Sequence, residues 1–207
     1  NQFNHAFKNF GWNVVWADPD DISSFEKAVT PKTKAIFIES IANPGGIITD
    51  IAAVSAIAKE AGVPLIVDNT LATPYLIRPI EHGADIIVHS LTKFLGGHGN
   101  SIGGAIVDCG TFDWLKSGRY PTLSEPSPSY HGVTFAETFG NFAFAIACRV
   151  FSLRDLGPAI APFNAFLILT GIETLPLRMQ RHCDNALAVA EWLSGHDKVA
   201  WVNYAGL

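Results

Sequence analysis

Between Pro64 and Gly104 the chain carries two short apolar runs, each ending in residues able to do chemistry. Pro64-Leu65-Ile66-Val67 runs into Asp68, and Ala84-Asp85-Ile86-Ile87-Val88 runs into His89-Ser90-Leu91-Thr92-Lys93. Neither run alternates apolar with polar residues. Strands that are apolar on both faces belong in a parallel sheet covered on both sides, and no other feature narrows the fold as much. In such sheets ligands sit beyond the carboxyl ends of the strands. Asp68 and Lys93 are therefore expected at the edge where chemistry takes place.

The rest of the chain supplies neighbours for these strands. Asn13-Val14-Val15-Trp16-Ala17 reads as a strand, and Lys34-Ala35-Ile36-Phe37-Ile38-Glu39-Ser40 as the next. Between them Asp20-Asp21 opens a helix whose free N–H groups Asp and Ser side chains cap. Ile51, Val54, Ile57 and Ala58 recur at helical spacing, and Gly62 ends that helix. A further strand is expected at Gly104-Ala105-Ile106-Val107-Asp108. Strands and helices alternating through short joints predict an open, mostly parallel α/β sheet. Residues 112–117 are a predicted helix, and 118–132, rich in Pro, Ser, Tyr and Gly, a long surface loop of a length often used for function. Helical pattern resumes over 135–156 and again over 163–193, interrupted near Thr174-Leu175-Pro176. Residues 198–204 read as the first strand of a new unit. A boundary is expected within 155–165, separating 1–157 from 158–207.

Composition removes several classes of function. With 48% hydrophobic and 16% charged residues the chain reads as compact and soluble. A net charge of −5 leaves no footprint for nucleic acid or anionic membrane. The most apolar stretch, 135–151, is interrupted by Glu137, Asn141 and Arg149, so no run reaches the roughly 18–20 residues of a membrane span. No signal peptide is read. Cys109, Cys148 and Cys183 are odd in number, widely spaced and without a CxxC, which predicts buried thiols in a reducing compartment. The cluster GGHGNSIGG is not a dinucleotide loop, because it lacks the GxGxxG order and a following acidic residue. No GxSxG elbow is present. His89 and His98 stand at no metal-ligand offset, so no metal is expected; His89 reads as a packed neighbour of Lys93 and His98 as a hydrogen-bonding loop residue.

What remains is a specific combination. Lys93 lies between Thr92 and Phe94 and just before Gly96-Gly97, where backbone can approach a phosphate. A lysine that forms an imine, a carboxylate that keeps a pyridine nitrogen protonated and hydroxyls that bind phosphate are together what pyridoxal phosphate (PLP) requires. Lys93, Asp68, Ser90 and Thr92 supply that set. Singly, each has an ordinary alternative: a surface lysine, a turn-capping aspartate, hydroxyls bonded to local backbone.

The block from Val67 to Gly104 resembles the lysine signature of the Cys/Met-metabolism family of PLP-dependent enzymes, which has the aspartate aminotransferase-type fold (fold type I). From Asn1 through Leu207 the wording is similar to that of the family's O-acetylhomoserine sulfhydrylases, also called O-acetylhomoserine aminocarboxypropyltransferases. Cystathionine γ-synthases, cystathionine γ-lyases and methionine γ-lyases share the signature. The resemblance implies that Lys93 bonds the cofactor and moves protons between substrate carbons, while Asp68 pairs with the ring nitrogen. The spacing 93 − 68 = 25 matches the family pattern, and Asn43 stands past the preceding strand at the same distance, 68 − 43 = 25, before Asp68. Asn43-Pro44, in Glu39-Ser40-Ile41-Ala42-Asn43-Pro44, reads by itself as the start of a turn. The resemblance implies instead that the Asn43 amide bonds the cofactor's phenolic oxygen, although the family often has proline where Ile41 stands. Ser90 and Thr92 would hold the phosphate, and Thr70 would lie near the ring face.

The implied reaction converts O-acetylhomoserine and sulfide, or a small thiol, to homocysteine and acetate in methionine biosynthesis. The implied setting is a cytoplasmic homo-oligomer, tetramer or dimer, with no nucleic-acid or membrane partner. Against the family the chain reads as a middle section, with part of the large PLP-binding domain at 1–157 and a linking helix and incomplete C-terminal domain at 158–207. The ring-stacking tyrosine, the upstream phosphate turn and the substrate-carboxylate arginine would then lie outside it. A non-catalytic fragment of such an enzyme is the competing expectation.

Overall fold

The computed structural model describes residues 2–207. At its centre is a sheet of β1 (Ile36–Glu39), β2 (Leu65–Asp68), β3 (Ile86–Ser90) and β4 (Gly104–Asp108), in that spatial order. β1, β2 and β3 run parallel, with Glu39 opposite Asp68 and Asp68 opposite Val88. β4 returns antiparallel, placing Gly104 opposite Ser90. The mostly parallel sheet is present as expected. The direction of its last strand follows from the link before it. A parallel partner needs a crossover, usually helical, and the glycine-rich link 91–103 forms none. It turns back instead, with the Leu91 N–H donating to the Gly103 carbonyl at 2.9 Å.

Both faces of the sheet are covered. α1 (Ile22–Ala28) and α2 (Ile51–Ala61) pack on one side, where Phe25, Val54, Ile57 and Ala58 meet Ile36, Ile38, Leu65, Val67 and Ile87. Asp21 and Asp50 cap these helices by accepting from the N–H groups of Ser23 and Ala53, each at 3.0 Å. Gly62 closes α2 at φ +66°, a conformation only glycine adopts freely. After the short α3 (Thr73–Leu76) and α4 (Pro121–Ser124), α5 (Phe135–Phe139) and α6 (Ala143–Ala147) cover the other face. There Phe135, Ala136, Ala143 and Ala147, with Trp114 and Leu123, meet Ile66, Ile86 and Val88. Val54, Leu65 and Val67 are wholly buried, and each such side chain contributes about 1.5–3 kcal/mol. α7 (Pro162–Ile172) and α8 (Leu175–Ser194) follow, broken where Thr174-Leu175-Pro176 predicted.

Several expected elements differ. Residues 13–17 make no ladder bonds; Trp16 Nε1 instead donates to Asn4 Oδ1 at 3.0 Å. Residues 198–204 are likewise unpaired, and Asn203 Nδ2 reaches the Gly45 carbonyl at 3.0 Å. Both segments have strand-like composition, but a strand exists only through a neighbour's hydrogen bonds. Residues 112–117 form turns rather than a helix. The loop 118–132 contains α4 and is pinned beside β1, where Tyr120 OH donates to the Lys34 carbonyl at 2.7 Å. The helical run 135–156 divides at Gly140, φ +52°, and continues past α6 as a wide π-type turn over Cys148–Arg154.

At the amino end of the sheet Asp85 is buried. Its Oδ2 accepts from the Leu65 N–H at 3.0 Å and its Oδ1 from the Thr111 hydroxyl at 2.7 Å. Nearby, the Cys109 thiol is pushed up to about 11, first by burial and then by the charges of Asp108 and Asp85. Burial, with the charge of Asp108, also raises Cys148. All three thiols are unbridged and only half-buried, short of the full burial expected. No helix among the described residues is long and apolar enough to cross a membrane.

Candidate active site

Because β1, β2 and β3 are parallel, the residues after each of them emerge at one edge. Asn69 knits that edge together. It is fully buried, its Oδ1 accepts from Ser40 Oγ at 2.8 Å, and its Nδ2 donates to the Ile77 carbonyl at 2.9 Å. Its own N–H donates to the Val88 carbonyl at 3.0 Å, while the Ser40 N–H donates to the Asp68 carbonyl at 2.9 Å. The three strand ends are thereby held in a fixed relation. In the sequence Asn69 is overshadowed by Asp68, beside it, which carries the more reactive group. The only signal was a polar residue continuing a buried strand.

On this frame a short hydrogen-bonded run joins four of the candidate residues. The Thr70 N–H donates to Asp68 Oδ1 at 2.9 Å, and Thr70 Oγ1 accepts from the Ser90 N–H at 2.8 Å. The Lys93 N–H donates to the Ser90 carbonyl at 3.2 Å. Asp68, Thr70, Ser90 and Lys93 thus form one connected edge across β2 and β3. The Thr70 hydroxyl takes its place in this run. Thr92 is anchored to Gly103, accepting from its N–H at 3.2 Å and donating to its carbonyl at 3.3 Å. Asn43 stands apart on the loop after β1. Its N–H donates to Glu39 Oε2 at 3.0 Å, its side chain is exposed, and no hydrogen bond links it to the other candidates.

The side-chain groups that the protein leaves without partners are informative. Among the described residues no hydrogen bond or ion pair engages Lys93 Nζ, Ser90 Oγ or the second oxygen of Asp68. Lys93 is exposed, and Asp68 and Ser90 are half-buried. An amine, a hydroxyl and a carboxylate oxygen therefore stand open along one edge. Beside them His89 Nδ1 is buried without a partner. Burial holds the His89 ring below its ordinary value of 6.5, opposed by the charge of Asp68 and by the Asn69 backbone. Burial thus biases this half-buried imidazole towards its neutral form. His98 Nδ1 lies 2.7 Å from the Gly96 carbonyl.

The turn carrying Lys93 is tight. The Gly96 N–H donates to the Leu91 carbonyl at 2.9 Å, and the Gly97 N–H donates to the Lys93 carbonyl at 2.7 Å. A Cβ on Gly96 would lie 2.6 Å from the Leu91 oxygen, so this turn admits only glycine. Leu95 packs from the turn onto Leu175 and Met179 of α8.

Residues 1–207 match the family model described as Cys/Met metabolism PLP-dependent enzyme. An O-acetyl-L-homoserine sulfhydrylase of Leptospira meyeri is 54% identical, aligned with 100% of this chain and 48% of its own length. A homocysteine synthase of Schizosaccharomyces pombe is 50% identical, over 100% of this chain and 49% of its own. The chain spans about half the length of the curated relatives it matches. Among solved structures, a Campylobacter jejuni protein described as an O-acetylhomoserine (thiol)-lyase carries a pyridoxyl-lysine phosphate. It superposes with a TM-score of 0.93 at 42% identity, covering 100% of this chain and 50% of that one. An O-acetylhomoserine sulfhydrylase of Wolinella succinogenes superposes at 0.84 with 35% identity, covering 100% and 55%.

Proposed function

The chain belongs to the Cys/Met metabolism PLP-dependent enzyme family, and from that premise we propose that it forms the cofactor-holding part of an O-acetylhomoserine sulfhydrylase. The observation that carries the reading is the run Asp68–Thr70–Ser90–Lys93, with its amine, hydroxyl and carboxylate oxygen left open along one edge. The 54% identity to a sulfhydrylase across the whole chain supports O-acetylhomoserine as the substrate.

The open donor set fits PLP. Lys93 Nζ would bond the aldehyde carbon, and Asp68 would accept from the ring N–H. Ser90 Oγ would donate to a phosphate oxygen, joined by Thr92 Oγ1 once its hydroxyl turns away from the Gly103 carbonyl. Asn43 Nδ2 would donate to the phenolic oxygen. Thr70 would hold Asp68 and Ser90 in mutual register near the ring. When bound, PLP withdraws electron density from the substrate α-carbon and so acidifies the adjoining C–H bonds. Lys93 Nζ, freed from the cofactor when the substrate amine takes its place, would take the α-proton, pass it on, and only then take a β-proton, acting as general base at each carbon in turn. Acetate would leave from the γ-carbon, hydrosulfide would bond in its place, and Lys93 would return one proton each to the β- and α-carbons to give homocysteine.

We place the unit boundary near residue 157, within the unpaired stretch between the π-type turn and α7. The exposed apolar row Phe163, Phe166 and Leu169 along α7 supports assembly as a homo-oligomer. A cytoplasmic setting accords with the free thiols. The test of function is product identity. The purified holoenzyme, given O-acetylhomoserine with sulfide or with cysteine, is expected to make homocysteine from sulfide. Cystathionine from cysteine as the main product would instead mark a cystathionine synthase.

A further inference from the structure

We propose that Arg178 is a positioning residue for Lys93: from α8 its guanidinium holds the turn that presents the lysine amine. The inference rests on the reading of Lys93 above and adds a residue from the far part of the chain.

Lys93 Nζ has no protein partner among the described residues, so its placement depends on its backbone. The two carbonyls that follow Lys93 both point into Arg178. Arg178 Nη1 donates to the Phe94 carbonyl at 2.7 Å, and Nη2 donates to the Leu95 carbonyl at 3.2 Å. The same Nη2 donates to the Gly171 carbonyl at 2.8 Å, and Nε to Thr174 Oγ1 at 3.0 Å. One rigid planar fork therefore ties the lysine turn to the joint between α7 and α8, across 84 residues of sequence. Bonds from a cationic donor are shorter and stronger than neutral ones, and a fork fixes direction as well as distance.

The backbone is shaped to admit this side chain. Gly97 has φ +74°, and a Cβ there would overlap the guanidinium of Arg178. A Cβ on Gly171 would collide with the Gly96 carbonyl. Leu175, Arg178, Met179 and His182 share one face of α8 at i, i+3, i+4 and i+7. Leu175 and Met179 support Leu95 from below, and the His182 ring lies 5.3 Å from that of Phe94. The whole face is fitted to the segment just after Lys93. A substitution at Arg178 therefore changes where the lysine turn sits while the strand cores stay intact.

The test compares wild-type holoenzyme with Arg178→Ala, Arg178→Lys and, as a control on the same helix, the exposed Arg181→Ala. Two readouts are taken: backbone amide exchange over 91–97 in the cofactor-free protein, and borohydride trapping of PLP on Lys93, located by peptide mass. Arg178→Ala is expected to speed exchange at the Gly96 and Gly97 amides by about tenfold or more and to slow trapping at Lys93 to match. Amides of β2 and β3 should stay at wild-type protection. Arg178→Lys, which keeps the charge but loses the fork, should fall between, and Arg181→Ala should match wild type.

Wild-type exchange and trapping in Arg178→Ala would overturn the proposal, as would exchange raised equally over the strands. Should Arg178→Ala fail to fold, wild-type behaviour of Arg178→Lys in both readouts would overturn it. No trapping at Lys93 in wild type would refute the assignment of the lysine itself; the exchange data then decide separately whether Arg178 holds the turn.

Discussion

The two ends of the sheet treat an aspartate in opposite ways. At the amino end Asp85 is buried and both its oxygens accept from protein donors, the Leu65 N–H and the Thr111 hydroxyl. At the carboxyl end Asp68 is half-buried, and one oxygen is held by the Thr70 N–H while the other has no protein partner among the described residues. A carboxylate whose bonds are all used within the fold serves the fold. One held at a single oxygen is both oriented and available. The same contrast separates Asn69, buried and bonded on both sides of its amide, from exposed Asn43. Open hydrogen-bonding capacity on a rigid frame, rather than residue type, distinguishes the candidate site from the scaffold.

The comparison predicts that damage at the two ends will appear in different measurements. The largest effect is expected at the open end. Lys93→Ala should lower turnover by roughly 10⁴ and remove the visible absorbance of lysine-bound cofactor, with the thermal midpoint of the cofactor-free protein unchanged. An unchanged spectrum would move the assignment to another lysine. At the closed end, Asp85→Ala strands the Leu65 N–H and frees the Thr111 hydroxyl. It should cost about 2–5 kcal/mol in denaturant unfolding. A shift under about 1 kcal/mol would break the contrast.

Asp68→Asn sharpens the comparison, since the amide oxygen still accepts from Thr70. Stability should change by less than about 1 kcal/mol, while exchange of the substrate α-proton slows by roughly 10²–10³. Normal exchange in that variant would remove Asp68 from the electron-sink role.

The smallest effect concerns His89. Burial lowers its pKa from 6.5, so the unfolded chain takes up a proton before the folded one does. Stability is then fully present above 6.5 and declines as pH falls from there towards the lowered native value. His89→Gln should flatten that decline, seen as a smaller difference between urea midpoints at about pH 7.5 and about pH 5.5. An equal slope in the variant would show that other groups produce it.

Much of this molecule follows from local pattern. The apolar runs into Asp68 and Lys93 specify buried strands, because only a doubly covered sheet accommodates them. Asp50 and Gly62 bound α2 through bonds made within a few residues, and Gly96 is required by a turn that closes on Leu91. The resemblance carried by Val67 to Gly104 added the family, and with it the roles expected of Asn43 and Thr70. Tertiary structure alone decided what depends on distant partners. The reversal of β4, the unpaired state of 13–17 and 198–204, and the bonds of Asp85 to Leu65 and Thr111 all depend on which segments become neighbours. Arg178 is the extreme case. In sequence it is one cation on an amphipathic helix, and its partners Phe94 and Leu95 lie 84 and 83 residues away. Periodicity and capping report interactions within a turn or two of chain. A backbone carbonyl offers the same acceptor at every residue, so nothing in the sequence marks which one an arginine will find.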